Sequence, residues 1–212
     1  MEFIHHLIDL FMHLDRHMAS VTAHYGAWTY GIVFVIIFCE TGLVVTPFLP
    51  GDSLLFVLGA LAAAGDLQLG LLLVLLSIAA IGGNMLNYTI GVFLSSRVLA
   101  HQDIPFVKKS YIDRTHEFFE EYGAKTIIIT RFVPIIRTFA PFMAGVGNMP
   151  YGKFTIYNFI GGAAWVLVGV LSGFFFGHLP FVQKNFSLVI LAIVFISLIP
   201  AVLEYLKHQK SH

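Results

Sequence analysis

Residues 40–52 read ETGLVVTPFLPGD, and residues 131–141 read RFVPIIRTFAP. Each stretch sets charges beside prolines inside an otherwise apolar run. Glu40 and Asp52 bracket Pro47 and Pro50, while Arg131 and Arg137 bracket Pro134, with Pro141 just beyond. Proline has no backbone N–H to give and clashes with the preceding turn, so these four prolines are read as breaks in two helical hairpins. Whether the breaks lie in water or in lipid decides the fold, and the rest of the sequence answers that question.

The chain has 212 residues, of which 58% are apolar and 11% charged, whereas a soluble domain carries about 25% charged residues. So few charges cannot cover a soluble globule of this size. Twelve Lys and Arg against twelve Asp and Glu leave no basic excess for a polyanion, so nucleic acid is not an expected partner. Charges are absent between Arg16 and Glu40, between Asp66 and Arg97, and between Lys153 and Lys184, and again from there to Glu204. A bilayer core of about 30 Å needs roughly 20 apolar helical residues. Three windows meet that length, about 69–96, 155–178 and 185–206. The apolar runs next to Glu40 and Asp52 are shorter and suit re-entrant limbs. The class is therefore all-α integral membrane, in one domain covering 1–212.

Two segments have a different pattern. Phe3, Ile4, Leu7, Ile8, Phe11, Leu14, Met18 and Val21 share one side of a helix, with His6, Asp9, His13 and Arg16 mostly opposite. That is an amphipathic helix lying in the membrane interface. Residues 106–121 read as a second. The acidic start, MEF, lacks the basic region of a signal peptide and is read as mature sequence.

The element order repeats. Tyr25-Gly26-Ala27 precedes the first hairpin, about 28–65, and Tyr122-Gly123-Ala124 precedes the second, about 124–148. Phe48-Leu49-Pro50 matches Phe132-Val133-Pro134. Repeat one covers about 2–97 and repeat two about 106–178, each an amphipathic helix, a hairpin and a span, with a final span after them. A re-entrant hairpin plus one span crosses the membrane an odd number of times, so two copies point in opposite directions. Transporters with such inverted repeats hold their sites where broken helices meet.

Charges within a bilayer cost about 2.5–3.5 kcal/mol each at its centre, so Glu40, Asp52, Arg131 and Arg137 are expected to meet in a wet site. The guanidinium fork grips phosphate through two N–H donors, which makes Arg131 and Arg137 the candidate phosphate ligands. Glu40 and Asp52 are the candidate ion-pair and proton-coupling residues. A proton on either acid weakens its hold on an arginine and frees that arginine for an anion. Asn84, Asn87 and Tyr88, close together on the first long span, are candidates to line the cavity, with interhelical hydrogen bonding as the plainer account. Gly82-Gly83 and Gly161-Gly162 suit close helix packing, and Asn148 and Asn158 suit local caps or bridges.

The segments FCETGLVVTPFLPGDSLLFVLGAL, GGNMLNYTIG and RFVPIIRTFAPFMAGVGNM resemble the DedA family of membrane proteins, and the likeness covers about residues 3–207. The resemblance implies a bacterial inner-membrane, multi-pass protein with two opposed re-entrant hairpins. It further implies translocation of an anionic lipid carrier such as undecaprenyl phosphate, with proton coupling. The family's acids match Glu40 and Asp52, and its arginines match Arg131 and Arg137. Gly83-Asn84 departs from the Gly-Asp pair expected there. Phospholipid scrambling and proton-dependent ion or drug exchange are the alternatives within transport.

Other classes have weaker support. The HExxH, GxSxG and P-loop patterns are absent, and no histidine lies between His116 and His178 to attack a lipid phosphate, so no enzyme is expected. Asp9, His13 and His17 share a helical face that is polar by construction, and no metal or other cofactor is expected. Cys39 is the single cysteine, which excludes an intrachain disulfide. A structural membrane protein is the remaining class. The basic 97–125 loop and the Lys207 and Lys210 tail fall on one side of the membrane, which the positive-inside rule makes cytoplasmic.

Overall fold

The computed structural model describes residues 20, 22, 24–43, 51–101, 119, 122–177, 179–184, 188, 189 and 192. Pro47, Pro50, and most of the two amphipathic segments and the final span lie outside the described residues. Every described element is a helix. They are α1 (Trp28–Gly42), α2 (Gly51–Ala64), α3 (Leu69–His101), α4 (Thr126–Thr130), α5 (Pro134–Val146), α6 (Tyr151–Phe176) and α7 (Pro180–Lys184).

Lengths follow the gaps in charge. α3 has 33 residues and α6 has 26, about 50 and 39 Å at 1.5 Å per residue, enough to cross a bilayer core. α1 and α2, with 15 and 14 residues, reach only about 22 Å. The long helices also show apolar side chains outward: Val74, Ile78 and Phe93 on α3 and Phe159, Val168 and Phe175 on α6 are each more than half exposed. Water would penalise such surfaces, and lipid does not.

Two boundaries differ from the sequence reading. α6 begins at Tyr151 rather than near 155, because Lys153 sits exposed in its first turn, where a long side chain keeps its charge out of the apolar layer. Pro141, expected to break the second hairpin, lies inside α5, which runs on to Val146. Its missing N–H withholds one helical hydrogen bond from the Arg137 carbonyl without ending the helix. Pro134 behaves as expected: it opens α5, where the N–H it lacks has no helical partner to lose.

The described residues fall into two compact units. One is built from residues up to Ile36, 51–77 and the chain from Val166. In it, α2 lies on the second half of α6. A Cβ at Gly173 would come 1.9 Å from the Phe56 carbonyl oxygen, and one at Gly59 would come 2.0 Å from that of Val170. The Tyr30 hydroxyl accepts the Gln68 N–H at 2.7 Å, satisfying a donor at the start of α3.

The other unit is built from residues 37–43 and 78–165. Here α5 lies on the second half of α3, and again two glycines make the crossing. A Cβ at Gly91 would come 2.2 Å from the Phe142 carbonyl oxygen, and one at Gly145 would come 2.1 Å from that of Tyr88. Below this crossing Tyr88, Ile127, Ala140, Ala144, Met149 and Phe154 form an apolar cluster. Small-residue crossings of this kind hold membrane helices together by van der Waals contact, since lipid supplies no hydrophobic drive. Gly91→Ala is therefore expected to lower the thermal midpoint of the detergent-solubilised protein, at a cost of about 1–3 kcal/mol for overpacking. Gly31→Ala, where a Cβ meets nothing within 4 Å, is expected to leave it unchanged.

Candidate functional site

Among the described residues, the buried charged side chains are Glu40, Arg131 and Arg137, and all three belong to the second unit. Glu40 stands in the last turn of α1, and Arg137 stands in the first turns of α5. Pro134 fixes where α5 begins, and so fixes the direction in which Arg137 leaves the backbone. The Arg137 Nη2 lies 2.6 Å from the Glu40 Oε1, and the two side chains are 6% and 1% exposed. A pair so thoroughly removed from water is costly to leave half-made.

Arg131 occupies the turn between α4 and α5 and is 2% exposed. It has no carboxylate partner in this network. Its Nη2 donates to the Ala80 carbonyl and to the Asn158 Oδ1, both at 3.1 Å. Asn158 in turn donates to the Ile81 carbonyl at 3.0 Å and accepts from the Asn84 Nδ2 at 3.0 Å. Two consecutive carbonyls of α3 are reached because small residues line the approach. A Cβ at Gly162 would come 2.9 Å from the Arg131 Nη2 and 2.8 Å from the Ile81 Cγ1.

Trp165 completes the arrangement. The guanidinium carbons of Arg137 and Arg131 lie 5.0 and 5.8 Å from the centroid of its ring, both within cation–π range. One indole, itself 4% exposed, thus faces two like charges and attracts each, partly offsetting their mutual repulsion. Two guanidiniums against one carboxylate leave an excess of one positive charge among the described buried side chains of this unit. The Arg131 Nε and the Asn84 Oδ1 are buried and have no hydrogen-bond partner among the described residues. Among the described residues the site thus holds one more basic than acidic buried side chain and a spare donor, which suit an anion, and a spare acceptor, which suits a hydroxyl or amide.

The residues picked from sequence fare differently. Glu40, Arg131 and Arg137 come together, and Asn84 joins them through Asn158. Asn87 is fully buried, and its Nδ2 donates to the Thr41 and Thr138 carbonyls. Tyr88, a candidate for the cavity lining, instead stacks on Phe154 at 4.4 Å within the apolar cluster and donates its hydroxyl proton to the Met149 carbonyl. Asp52 stands partly buried in the first turn of α2, in the other unit. Pro134 opens α5, whereas Pro141 is no break. Asn158 and Trp165 are not among the site candidates that the sequence reading names. A signal for them exists: they lie seven apart, two turns along one face of an uncharged span, and a buried amide in such a span is seldom idle.

The VTT domain family model matches residues 49–175 of this chain. Protein DedA of Escherichia coli strain K12 is 50% identical over 213 residues, covering 100% of this chain and 97% of that protein. The chain belongs to the DedA family of membrane proteins. An uncharacterized membrane protein of Mycobacterium tuberculosis H37Rv is 45% identical over 81% of this chain and 76% of its own length. Inner membrane protein YqjA of Escherichia coli K12 is 33% identical over 73% of this chain and 70% of its own length. No solved structure matches the chain.

The energetics of the site can be checked by substitution. Glu40→Gln and Arg137→Gln are each expected to destabilise the protein by about 3–5 kcal/mol, because each leaves a buried charge uncompensated. The double variant is expected to recover most of that loss, as read by the thermal midpoint in detergent. Gly162→Ala is expected to lower the midpoint, at a cost of about 1–3 kcal/mol, by pushing on a guanidinium that its bonds to Ala80 and Asn158 hold in place.

Proposed function

We propose that this protein moves an anionic lipid across the bacterial inner membrane, with a polyprenyl phosphate such as undecaprenyl phosphate as its cargo. The observation that carries the reading is the buried pair of guanidiniums, Arg131 and Arg137, facing one indole, with Glu40 as the buried carboxylate among the described residues. A phosphate group supplies the missing negative charge and several strong acceptors, and arginine binds it bidentately. An amphiphilic phosphate can keep its chain in lipid while its headgroup enters such a site, which a small soluble anion has no need to do.

Release and binding turn on Glu40. While ionised, it competes with the cargo for Arg137. A proton on Glu40 removes its charge and frees the guanidinium for phosphate, and loss of that proton returns the arginine to the carboxylate and expels the cargo. Proton movement and lipid movement are thereby linked. Asp52, in the first turn of α2 in the other unit, is the second proton-coupling candidate of this reading.

The reading includes an inverted repeat with two re-entrant hairpins, and several local features support it. Gly26 and Gly123 both have positive φ, +50° and +73°, where a left-handed residue closes a helix. Gly26 donates to the Thr22 carbonyl at 2.9 Å and Gly123 donates to that of Phe119 at 3.0 Å, four residues back in each case. Thr29 and Thr126 then donate to the carbonyls of those same glycines. Each long helix also carries a paired glycine crossing in its second half. The basic loop near residues 97–125 supports a cytoplasmic side for that connection.

The test is reconstitution in liposomes with a labelled polyprenyl phosphate on one leaflet. The wild type is expected to move the label to the other leaflet unaltered, faster with an imposed proton gradient, and Arg137→Gln is expected to abolish movement. A cleaved product would point to an enzyme instead. Movement indifferent to the gradient and to the headgroup would point to a scramblase.

A further inference from the structure

Asn87 stands apart from the ion pair yet touches the residue next to each of its members. Its Nδ2 donates to the Thr41 carbonyl at 3.2 Å and to the Thr138 carbonyl at 2.8 Å. Thr41 follows Glu40, and Thr138 follows Arg137. The Thr41 carbonyl lies in the last turn of α1, among the terminal carbonyls that a helix leaves for other partners. The Thr138 carbonyl is one residue past Arg137 on α5.

One primary amide nitrogen carries two protons, and here both are used on two different helices. Asn87 is fully buried, and its Oδ1 has no hydrogen-bond partner among the described residues. An unsatisfied buried acceptor costs about 1–3 kcal/mol. An apolar side chain of similar size would spare the Oδ1 but strip two carbonyls on two helices of their shared donor, so what the amide contributes at this position is the link between them.

We propose that Asn87 is a positioning residue: a two-carbonyl clamp that holds the end of α1 against α5 so that the Glu40–Arg137 pair can open and close without the two backbones parting. With the backbones tied through Asn87, exchange of Arg137 from carboxylate to anion becomes a side-chain rearrangement. Without the tie, the ion pair is itself the strap between the limbs, and breaking it loosens both. The clamp is a feature of the protein alone; its value for anion exchange rests on the carrier reading above.

The test places spin labels on the two tied limbs. Leu43 and Phe139 are 41% and 39% exposed and flank the clamped carbonyls, so Leu43→Cys and Phe139→Cys in a Cys39→Ala full-length chain carry the labels. Dipolar broadening then reads the spread of distances between the labels. The protein with Asn87 is expected to show a narrow distribution, and to keep it in Arg137→Gln and in Asn84→Leu, whose amide bonds elsewhere. Asn87→Leu, of similar size but without donors, is expected to lose the narrow component. Asn87→Ser, with one hydroxyl donor, is read in the same way where the leucine variant does not fold.

Survival of the narrow component in Asn87→Leu or Asn87→Ser would overturn the clamp. So would its equal loss in Arg137→Gln, which would make the ion pair the strap. Adding dodecyl phosphate to the protein with Asn87, in a Trp28→Phe background that leaves Trp165 as the reporter, separates the clamp from the carrier. A response of Trp165 fluorescence with the label distribution unchanged supports both. A response with a broadened distribution overturns the clamp. A silent Trp165 counts against the carrier reading, and the clamp then stands or falls on the contrast between Asn87→Leu and Arg137→Gln.

Discussion

The buried contact between Glu40 and Arg137 is the constraint around which this unit is arranged. In a membrane the surroundings cannot solvate a stray charge, so each ion must be met by protein or cargo. Meeting Glu40 takes one guanidinium. Arg131 is left to backbone carbonyls, an asparagine and an indole, which are partners that spread its charge but do not cancel it. Among the described residues the arrangement is neutralised only in part, and the proposed function assigns the remainder to an anionic cargo.

The rest of the unit serves that imbalance. Glycines at 91 and 145 let α5 lie on α3 with backbones nearly touching, which fixes the start of α5 and with it Arg137. Gly162 leaves room for the Arg131 guanidinium. Tyr88 and Phe154 fill the neighbouring cluster and keep it apolar. Buried ion pairs are poor stabilisers compared with apolar packing, so their retention points to use rather than to strength. A cluster that favoured stability above all would have replaced three charges and two asparagines with leucine.

Much of this was legible in the amino-acid order. Long gaps in charge gave α3 and α6, because lipid tolerates no charge over that length. Charges beside prolines marked Glu40, Arg131 and Arg137, because both features are costly at depth and are seldom placed together without need. Partner identity was less legible. Which acid faces which arginine depends on contacts spanning 97 residues, and nothing local encodes them. Trp165 looked like one apolar residue among many, since a cation–π role is visible only when the cations are in place. Pro141 misled because proline inside a membrane helix costs one hydrogen bond and need not end the helix.

In the proposed function the paired guanidiniums beside Trp165 receive a lipid phosphate. The chain has two tryptophans, and Trp28 is 78% exposed, so Trp28→Phe leaves Trp165 as the sole reporter inside the site. The decisive measurement is the fluorescence of that variant in detergent during titration with a polyprenyl phosphate and, separately, with the matching polyprenol. A saturable change with the phosphate, absent with the alcohol and lost in Arg131→Gln, is the result expected. No change, or the same change with both lipids, would contradict the account.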